Sequence, residues 1–131
     1  MGSRKVSIPD TPPSEVQLIA LQQLAERDDA DPVQAERTAL NIASNRLARA
    51  SDRVKAIELC TRLKSTSALP LFREIMTSEK ADVSIRTSAI TAVAALGDQT
   101  DEPALQQLAS SKDDRVRAAA VDALSRIRRQ G

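Results

Sequence analysis

The side chains that most often carry out catalysis are nearly absent from this chain of 131 residues. It contains no His and a single Cys, Cys60. A catalytic thiol needs a neighbouring base, and imidazole is the usual one. Cys60 stands at an apolar position of a helical pattern, so we interpret it as a small core residue. A single Cys also excludes an internal disulfide and a Cys-based zinc cluster.

Acidic clusters are the other residues whose spacing suggests chemistry. Asp28, Asp29 and Asp31, and later Asp113 and Asp114, could form acid–base pairs or hold a metal ion. Each cluster precedes a stretch of helical periodicity, where a carboxylate caps the first turn and complements the helix dipole. No phosphate-binding glycine loop, nucleophile elbow or metal-ligand spacing accompanies them. We therefore predict no catalytic, cofactor-binding or metal-binding residues and expect that the chain is not an enzyme.

The composition favours helices over strands. Apolar residues make up 41% of the chain and charged residues 28%, the balance of a folded domain. Phe72 is the only aromatic residue and there are only 3 Gly, whereas the helix formers Ala, Leu and Arg are abundant. An all-β or doubly wound α/β fold is therefore disfavoured. The length suits one domain and is too short for two.

Apolar spacing and capping residues predict seven helices joined by short loops. The predicted helices run from Ser14 to Glu26, Asp31 to Ala48, Ser51 to Leu63, Ala68 to Met76, Asp82 to Gly97, Glu102 to Ala109 and Asp113 to Arg128. Ser51 is expected to be an N-cap and Gly97 a left-handed helix terminus. Residues 1–13, with three Pro and no periodicity, are predicted to form a flexible tail. Residues 14–131 are then a single domain.

An internal repeat is the strongest signal in the chain. Each copy opens with an Arg, at Arg53, Arg86 and Arg117, and continues with apolar residues at the same helical spacing. A hexapeptide at 20–25 also recurs word for word at 104–109. After the N-terminal helix at 14–27, the repeat divides the chain into two-helix units at about 32–64, 66–97 and 100–129. Such units cannot bury their apolar stripes alone, so they must stack on one another.

The units resemble HEAT-like repeats of the short type common in bacterial proteins and in phycobilisome-lyase-like subunits. The resemblance rests on Pro70 and Pro103 in the first helix of a unit, and on the segments 82–86 and 113–117, which open the second helix with Asp and end in Arg. It implies an all-α fold, a right-handed α-α superhelix (HEAT-like solenoid) of about seven helices.

The same resemblance implies that the second helix of each unit lines a concave side. Outward positions in register on these helices would form a partner-binding face composed of Glu58, Thr61, Arg62, Thr91, Ala94, Asp122, Ser125 and Arg126. Because this face mixes both signs of charge with small side chains, it suits an extended or helical protein segment. The alternative is an ordinary solvated surface that binds nothing.

The aligned arginines Arg53, Arg86 and Arg117 also allow two interpretations. They could form an anion-binding row, or each could pair with an acidic residue of an inter-helix turn, Asp82 and Asp113 among them. In HEAT-like repeats this pairing is structural, so the resemblance implies a structural Arg/Asp ladder.

These observations predict a non-catalytic protein–protein interaction or scaffold module without a cofactor. Its partner would be another protein or another domain of a longer parent chain. The alternatives are a HEAT-like nucleic-acid-binding protein that uses the basic segment 32–64 and the C-terminal arginines, or an accessory subunit of a lyase-type enzyme. A net charge of +1 and a single Phe disfavour nucleic acid. No membrane-spanning stretch or signal peptide is recognisable, which favours the cytoplasm.

Overall fold

Seven α-helices make up most of the chain in the computed structural model, which describes residues 10–27, 29 and 31–130. The helices are α1 (Glu15–Glu26), α2 (Pro32–Ala43), α3 (Ala50–Arg62), α4 (Leu69–Thr77), α5 (Val83–Leu96), α6 (Glu102–Leu108) and α7 (Asp114–Gln130). Single 3-10 turns at Thr66–Ala68 and Gln99–Asp101 precede α4 and α6. No strand occurs in these ranges, so the predicted all-α helical-repeat fold is confirmed.

Three helix pairs stack through their second helices. α2 packs on α3, α4 on α5 and α6 on α7, and adjacent pairs meet where α3 contacts α5 and α5 contacts α7. Fully buried alanines recur in register in the second helices, at Ala56, Ala89 and Ala120. Because a methyl group occupies little space, the backbones of these helices can approach closely. The second helices therefore form the tightly packed layer of the stack.

Helix α1 covers the first pair and packs on both α2 and α3. Ser14 and Gln17 form a capping box at its start, as the N-cap prediction for Ser14 requires. Leu21 is buried against the core, whereas Val16 and Ile19 are 75% and 50% exposed on the opposite side of the helix. Among the described residues, only the Leu21 side of α1 packs against other helices.

Helix α2 ends at Ala43, earlier than the predicted Ala48, because Asn45 organises a turn. Its side-chain oxygen accepts a hydrogen bond from the Leu47 amide at 2.9 Å, and its side-chain nitrogen donates to the Thr11 carbonyl at 2.8 Å. Leu47 lies in this turn and not in the helix, and its side chain is 54% exposed. The second bond also ties Thr11 to the helices, although a flexible tail was predicted for 1–13; residues 1–9 lie outside the described part of the chain.

The predicted caps differ in outcome. The side chains of Asp31 and Asp82 accept hydrogen bonds from backbone amides of the first turn, as predicted. Ser51 is not a cap, because α3 already begins at Ala50 and follows Arg49 without a side-chain cap. The Arg49 carbonyl accepts the amide of Arg53 at 3.0 Å, which starts the helix directly after the Asn45 turn.

Gly97 ends α5 in an extended conformation, with φ −82° and ψ −166°, and not in the predicted left-handed one. Space and not backbone torsion selects glycine at this position. A Cβ atom here would overlap with the Asp101 Oδ2 atom and lie 2.6 Å from the Val93 carbonyl oxygen. The missing side chain therefore lets the Asp101 carboxylate reach the end of α5.

The Asp101 carboxylate is buried and links the second helix pair to the third. Its two oxygens accept hydrogen bonds from Nε and Nη2 of Arg73 on α4, at 2.8 and 3.1 Å. Oδ2 also accepts the Asp98 amide at 3.1 Å. The bidentate geometry is strong and directional, and the hydrogen bond to Asp101 raises the pKa of the Arg73 guanidinium above its ordinary value.

We predict that Gly97→Ala lowers the free energy of unfolding by about 2 kcal/mol, since the added methyl group forces the Asp101 carboxylate or the end of α5 to move. Urea unfolding followed by circular dichroism measures the change. The matched control is Gln99→Ala, an exposed position two residues away, which is expected to change stability by less than about 0.5 kcal/mol. Equal stabilities for the Gly97 variant and the unaltered protein would show that the added methyl group does not overlap with the Asp101 carboxylate.

Candidate functional site

Three exposed polar side chains lie in register on the three second helices. Glu58 is on α3, Thr91 on α5 and Asp122 on α7, and all three are exposed to solvent. Because α3, α5 and α7 pack side by side, these positions form a row that crosses the stack. We call Glu58, Thr91 and Asp122 the second-helix row. Its three members belong to the predicted partner-binding face.

The adjacent predicted row, Thr61, Ala94 and Ser125, behaves differently along the stack. Ala94 is only 1% exposed, so its prediction as a solvent-facing residue is wrong. The cause is the position of α5, which has α3 on one side and α7 on the other. Thr61 is half-buried and its hydroxyl donates to the Ile57 carbonyl at 2.8 Å, whereas Ser125 on α7 is exposed. This row faces along the stack and not across the second-helix surface.

The predicted cationic members of the face are less available than the sequence suggested. Arg62 donates from Nη2 to the Ala25 carbonyl at 2.7 Å and to that of Leu24 at 3.4 Å. These are among the last carbonyls of α1, which have no partner within the helix. Lys55, one turn before Glu58, donates from Nζ to the Gln22 side chain on α1. Helix α1 therefore binds the two basic side chains on either side of Glu58.

The last predicted member, Arg126, is half-buried at the C-terminal end of α7. Of the eight predicted face residues, five are exposed, Thr61 and Arg126 are half-buried, and Ala94 lies in the core. The exposed members are Glu58, Arg62, Thr91, Asp122 and Ser125. No signal in the sequence alone distinguished Ala94 from the exposed members, because Ala is found on both buried and exposed helix faces.

The repeated arginines bind the ends of the first helices. Arg53 donates from Nε to the Ala43 carbonyl at 3.0 Å, and Arg86 donates from Nη2 to the Met76 carbonyl at 3.3 Å. Ala43 is the last residue of α2, and Met76 lies in the last turn of α4. A guanidinium group satisfies free carbonyls at a helix C-terminus and complements the negative end of the dipole. In the first two pairs, the second helix thus fastens the end of the first.

The third arginine, Arg117, reaches a carbonyl just beyond its first helix. It donates from Nη1 to the Ser111 carbonyl at 2.9 Å and pairs through Nη2 with Asp114 on its own helix. The contact therefore follows the same plan in all three pairs, with a shorter sequence separation in the last.

The predicted pairing of these arginines with Asp82 and Asp113 is not found at ion-pair distance. The Asp82 carboxylate accepts hydrogen bonds from the amide and hydroxyl of Ser84, and the Asp113 carboxylate accepts the amides of Val116 and Arg115. These bonds stabilise the charged form and hold the pKa of both carboxyl groups below the usual value. The two aspartates are helix caps, and the ladder is made of Arg–carbonyl contacts.

We predict that Arg86→Met lowers the free energy of unfolding by about 2 kcal/mol, because the Met76 carbonyl loses a charged donor. Asp82→Asn is the discriminating variant, since Asn caps a helix as well as Asp does. It should cost less than about 0.5 kcal/mol if no ion pair with Arg86 exists. Chemical denaturation measures the free energy of unfolding of both variants. Equal losses would support an ion pair between Arg86 and Asp82 instead.

Cys60 is fully buried in α3, as its interpretation as a core residue predicted. Burial raises the pKa of its thiol to about 12, and the nearby Glu36 carboxylate contributes to this rise. The thiol is therefore protonated at neutral pH, and the thiolate is the reactive form. The position does not suit a nucleophile.

We predict that iodoacetamide modifies Cys60 at pH 8 at least about a hundredfold more slowly in the folded protein than in urea, because both the burial and the raised pKa suppress thiolate attack. Mass spectrometry of timed samples measures the rate. Comparable rates in the two states would place the thiol at the surface.

The rest of the described structure offers no group for metal chemistry. Within residues 10–27, 29 and 31–130, no cluster of three or more His, Cys, Asp and Glu side chains is placed to hold a metal ion. In the same ranges, no helix combines the length and apolarity needed to cross a membrane.

Comparison with known proteins yields one match. A family model described as HEAT repeats matches residues 44–125, from the turn before α3 to most of α7. Proteins with these repeats are commonly scaffolds for protein interactions and are generally non-catalytic. No curated protein and no solved structure matches the chain.

Proposed function

The chain belongs to the HEAT-repeat family, and from that premise we propose that it is an interaction module that binds a segment of a partner protein across the second-helix row. The exposure of Glu58, Thr91 and Asp122 in register on three packed helices carries the proposal. A segment lying along the stack would contact one of these side chains per helix. Repeated surfaces of this kind are what solenoids offer to extended ligands.

The charges beside the row define the chemistry of the segment. Glu58 and Asp122 are exposed carboxylates, and Lys55 and Arg62 next to Glu58 are already bound to α1. The second-helix row is therefore acidic at both ends with a hydroxyl between them. Complementary charge selects partners and speeds their encounter, so the fitting segment carries basic side chains and hydrogen-bond donors.

The proposed module works without catalysis and without a cofactor. Cys60, the one thiol of the chain, is buried and its raised pKa keeps it protonated. Asp31 and Asp113 belong to the acidic clusters that could have suggested acid–base chemistry, and their carboxylates accept backbone amides at helix starts. Their roles are explained by capping.

Nucleic acid is the less well supported ligand, because much of the positive charge in segment 32–64 is used internally. Arg53 and Arg62 donate to helix-terminal carbonyls, Lys55 donates to Gln22, and Arg46 lies 3.8 Å from the Glu74 carboxylate. A nucleic-acid-binding surface needs free cations that can neutralise several phosphates.

Selection of peptides from a displayed random library against the folded chain tests the proposal. Enriched peptides are expected to be basic, and the double variant Glu58→Gln/Asp122→Asn should weaken their binding by about tenfold, the equivalent of losing one or two charged contacts. Binding is measured by fluorescence anisotropy with synthetic peptides.

The matched control is Glu74→Gln/Glu79→Gln, which removes the same charge from exposed positions outside the second helices. It should leave peptide affinity within about twofold, since the exposed Arg46–Glu74 pair contributes little. Equal weakening by both double variants would reduce the effect to net charge and contradict the assigned row. Duplex DNA binding that weakens steeply with added salt would favour the nucleic-acid alternative instead.

A further inference from the structure

One side of α7 has the register of a packed surface, but no helix of the described residues packs on it. Val121 corresponds in the repeat to Ile57 on α3 and Ile90 on α5, both of which are fully buried. Val121 itself is 55% exposed. Together with Ala118, Ser125 and Arg128 it forms what we call the α7 flank, and all four side chains are exposed.

The α7 flank continues an established interface. Residues at the same register of α3 and α5 are covered where the following helix pair stacks, as the burial of Ala94 and the exposure of Ser125 show. A shallow depression between Val121, Leu124 and Arg128 lies on this side of α7. The flank is thus shaped to receive a helix with a small apolar face.

The opposite end of the stack carries such a helix. The side of α1 that points away from α2 and α3 presents Val16, Ile19, Gln23 and Glu26, which we call the α1 outer face, and all four are exposed. Their spacing of three, four and three residues is also the spacing of the α7 flank. This spacing places side chains along one line of a helix and is the spacing of paired helices.

The polar residues of the two faces match in the same alignment. When Ile19 is set beside Val121 with the helices parallel, Glu26 falls beside Arg128, because each charged residue follows its apolar partner by seven positions. Gln23 then lies beside Ser125. A single parallel alignment of the two helices therefore pairs both the apolar and the charged residues of the two faces.

Net charge favours the same pairing. Helix α1 contains two Glu and no Lys or Arg, whereas α7 contains five Arg and two Asp. Arg128 lies 3.6 Å from Glu102, and its side chain remains 54% exposed, so it can also receive a second carboxylate. The two faces are therefore complementary in charge as well as in the spacing of their side chains.

We infer that copies of this chain associate head to tail, with the outer face of α1 in one copy packed on the α7 flank of another. The contact joins two different surfaces, so it does not close as a two-fold dimer and can continue to longer assemblies. One helix on another buries less than about 1,200 Å², which places the interaction among weak, reversible ones.

Sedimentation equilibrium at rising protein concentration measures the association. The weight-average mass should rise above that of one chain, and Val121→Asp should lower the association constant by about tenfold or more, because a charge would be buried in the contact. The matched control is Leu47→Asp, an equally exposed apolar side chain (54%) that lies on neither face. It should leave the constant within about twofold of the unaltered value.

A charge exchange tests the register. Glu26→Arg and Arg128→Glu should each weaken the association about threefold to tenfold, and the chain that carries both substitutions should recover most of it, because the pair is restored with reversed sign. Circular dichroism of each variant establishes that it is folded.

Crosslinking tests the direction of the contact. An equimolar mixture of Ile19→Cys and Val121→Cys chains should form a disulfide between the two variants faster than either variant does alone. The buried, protonated Cys60 does not compete. A single mass at every concentration, equal effects of Val121→Asp and Leu47→Asp, or preferential crosslinking of Ile19→Cys chains to one another would each overturn the inference.

Discussion

Close packing of the second helices is the constraint on which the rest of this structure depends. Ala56, Ala89 and Ala120 are fully buried in α3, α5 and α7, and these helices form the contacts between successive pairs. A layer built from small side chains leaves each helix only narrow exposed surfaces. The same packing that buries Ala94 therefore leaves Glu58, Thr91 and Asp122 in a continuous row. The stability of the stack and the geometry of its open surface have one origin.

Polar contacts at helix ends hold this layer in register. A helix leaves its last carbonyls without partners, and in this chain Arg53 and Arg86 from the second helices satisfy them. Arg62 does the same for α1, and Arg73 joins the second pair to the third through Asp101. Each arginine thus links two helices while it satisfies a helix terminus or a buried carboxylate. Because these side chains serve the fold, they are less available to anionic ligands.

The surfaces that remain differ in kind and so in the partners they suit. The second-helix row is polar and acidic and crosses three helices, which suits an extended basic segment. The two ends of the stack are small and partly apolar, with Val16 and Ile19 at one and Val121 at the other. Association through the ends would lengthen the row by joining the rows of successive copies. The two proposed interactions use separate side chains and need not compete.

The sequence by itself determined the helical class, the number of helices and the repeat. Periodic Leu and Ala, and caps such as Ser14 and Asp82, act within a few residues of the chain, so local patterns suffice to predict them. It also indicated the exposed members Glu58, Thr91 and Asp122, because their register follows from the repeat.

Only the tertiary structure decided which positions are buried and to which groups the polar side chains form hydrogen bonds. Ala94 is buried because helices pack on both sides of α5. Val121 occupies the register position that is buried in α5, but it is exposed because no helix of the described residues packs on that side of α7. Arg86 donates to the Met76 carbonyl, ten residues earlier, and not to Asp82, four residues earlier. Gly97 is required because the Asp101 carboxylate lies where a Cβ atom would be. Such outcomes depend on the distance between atoms of different elements, which spacing along the chain does not contain.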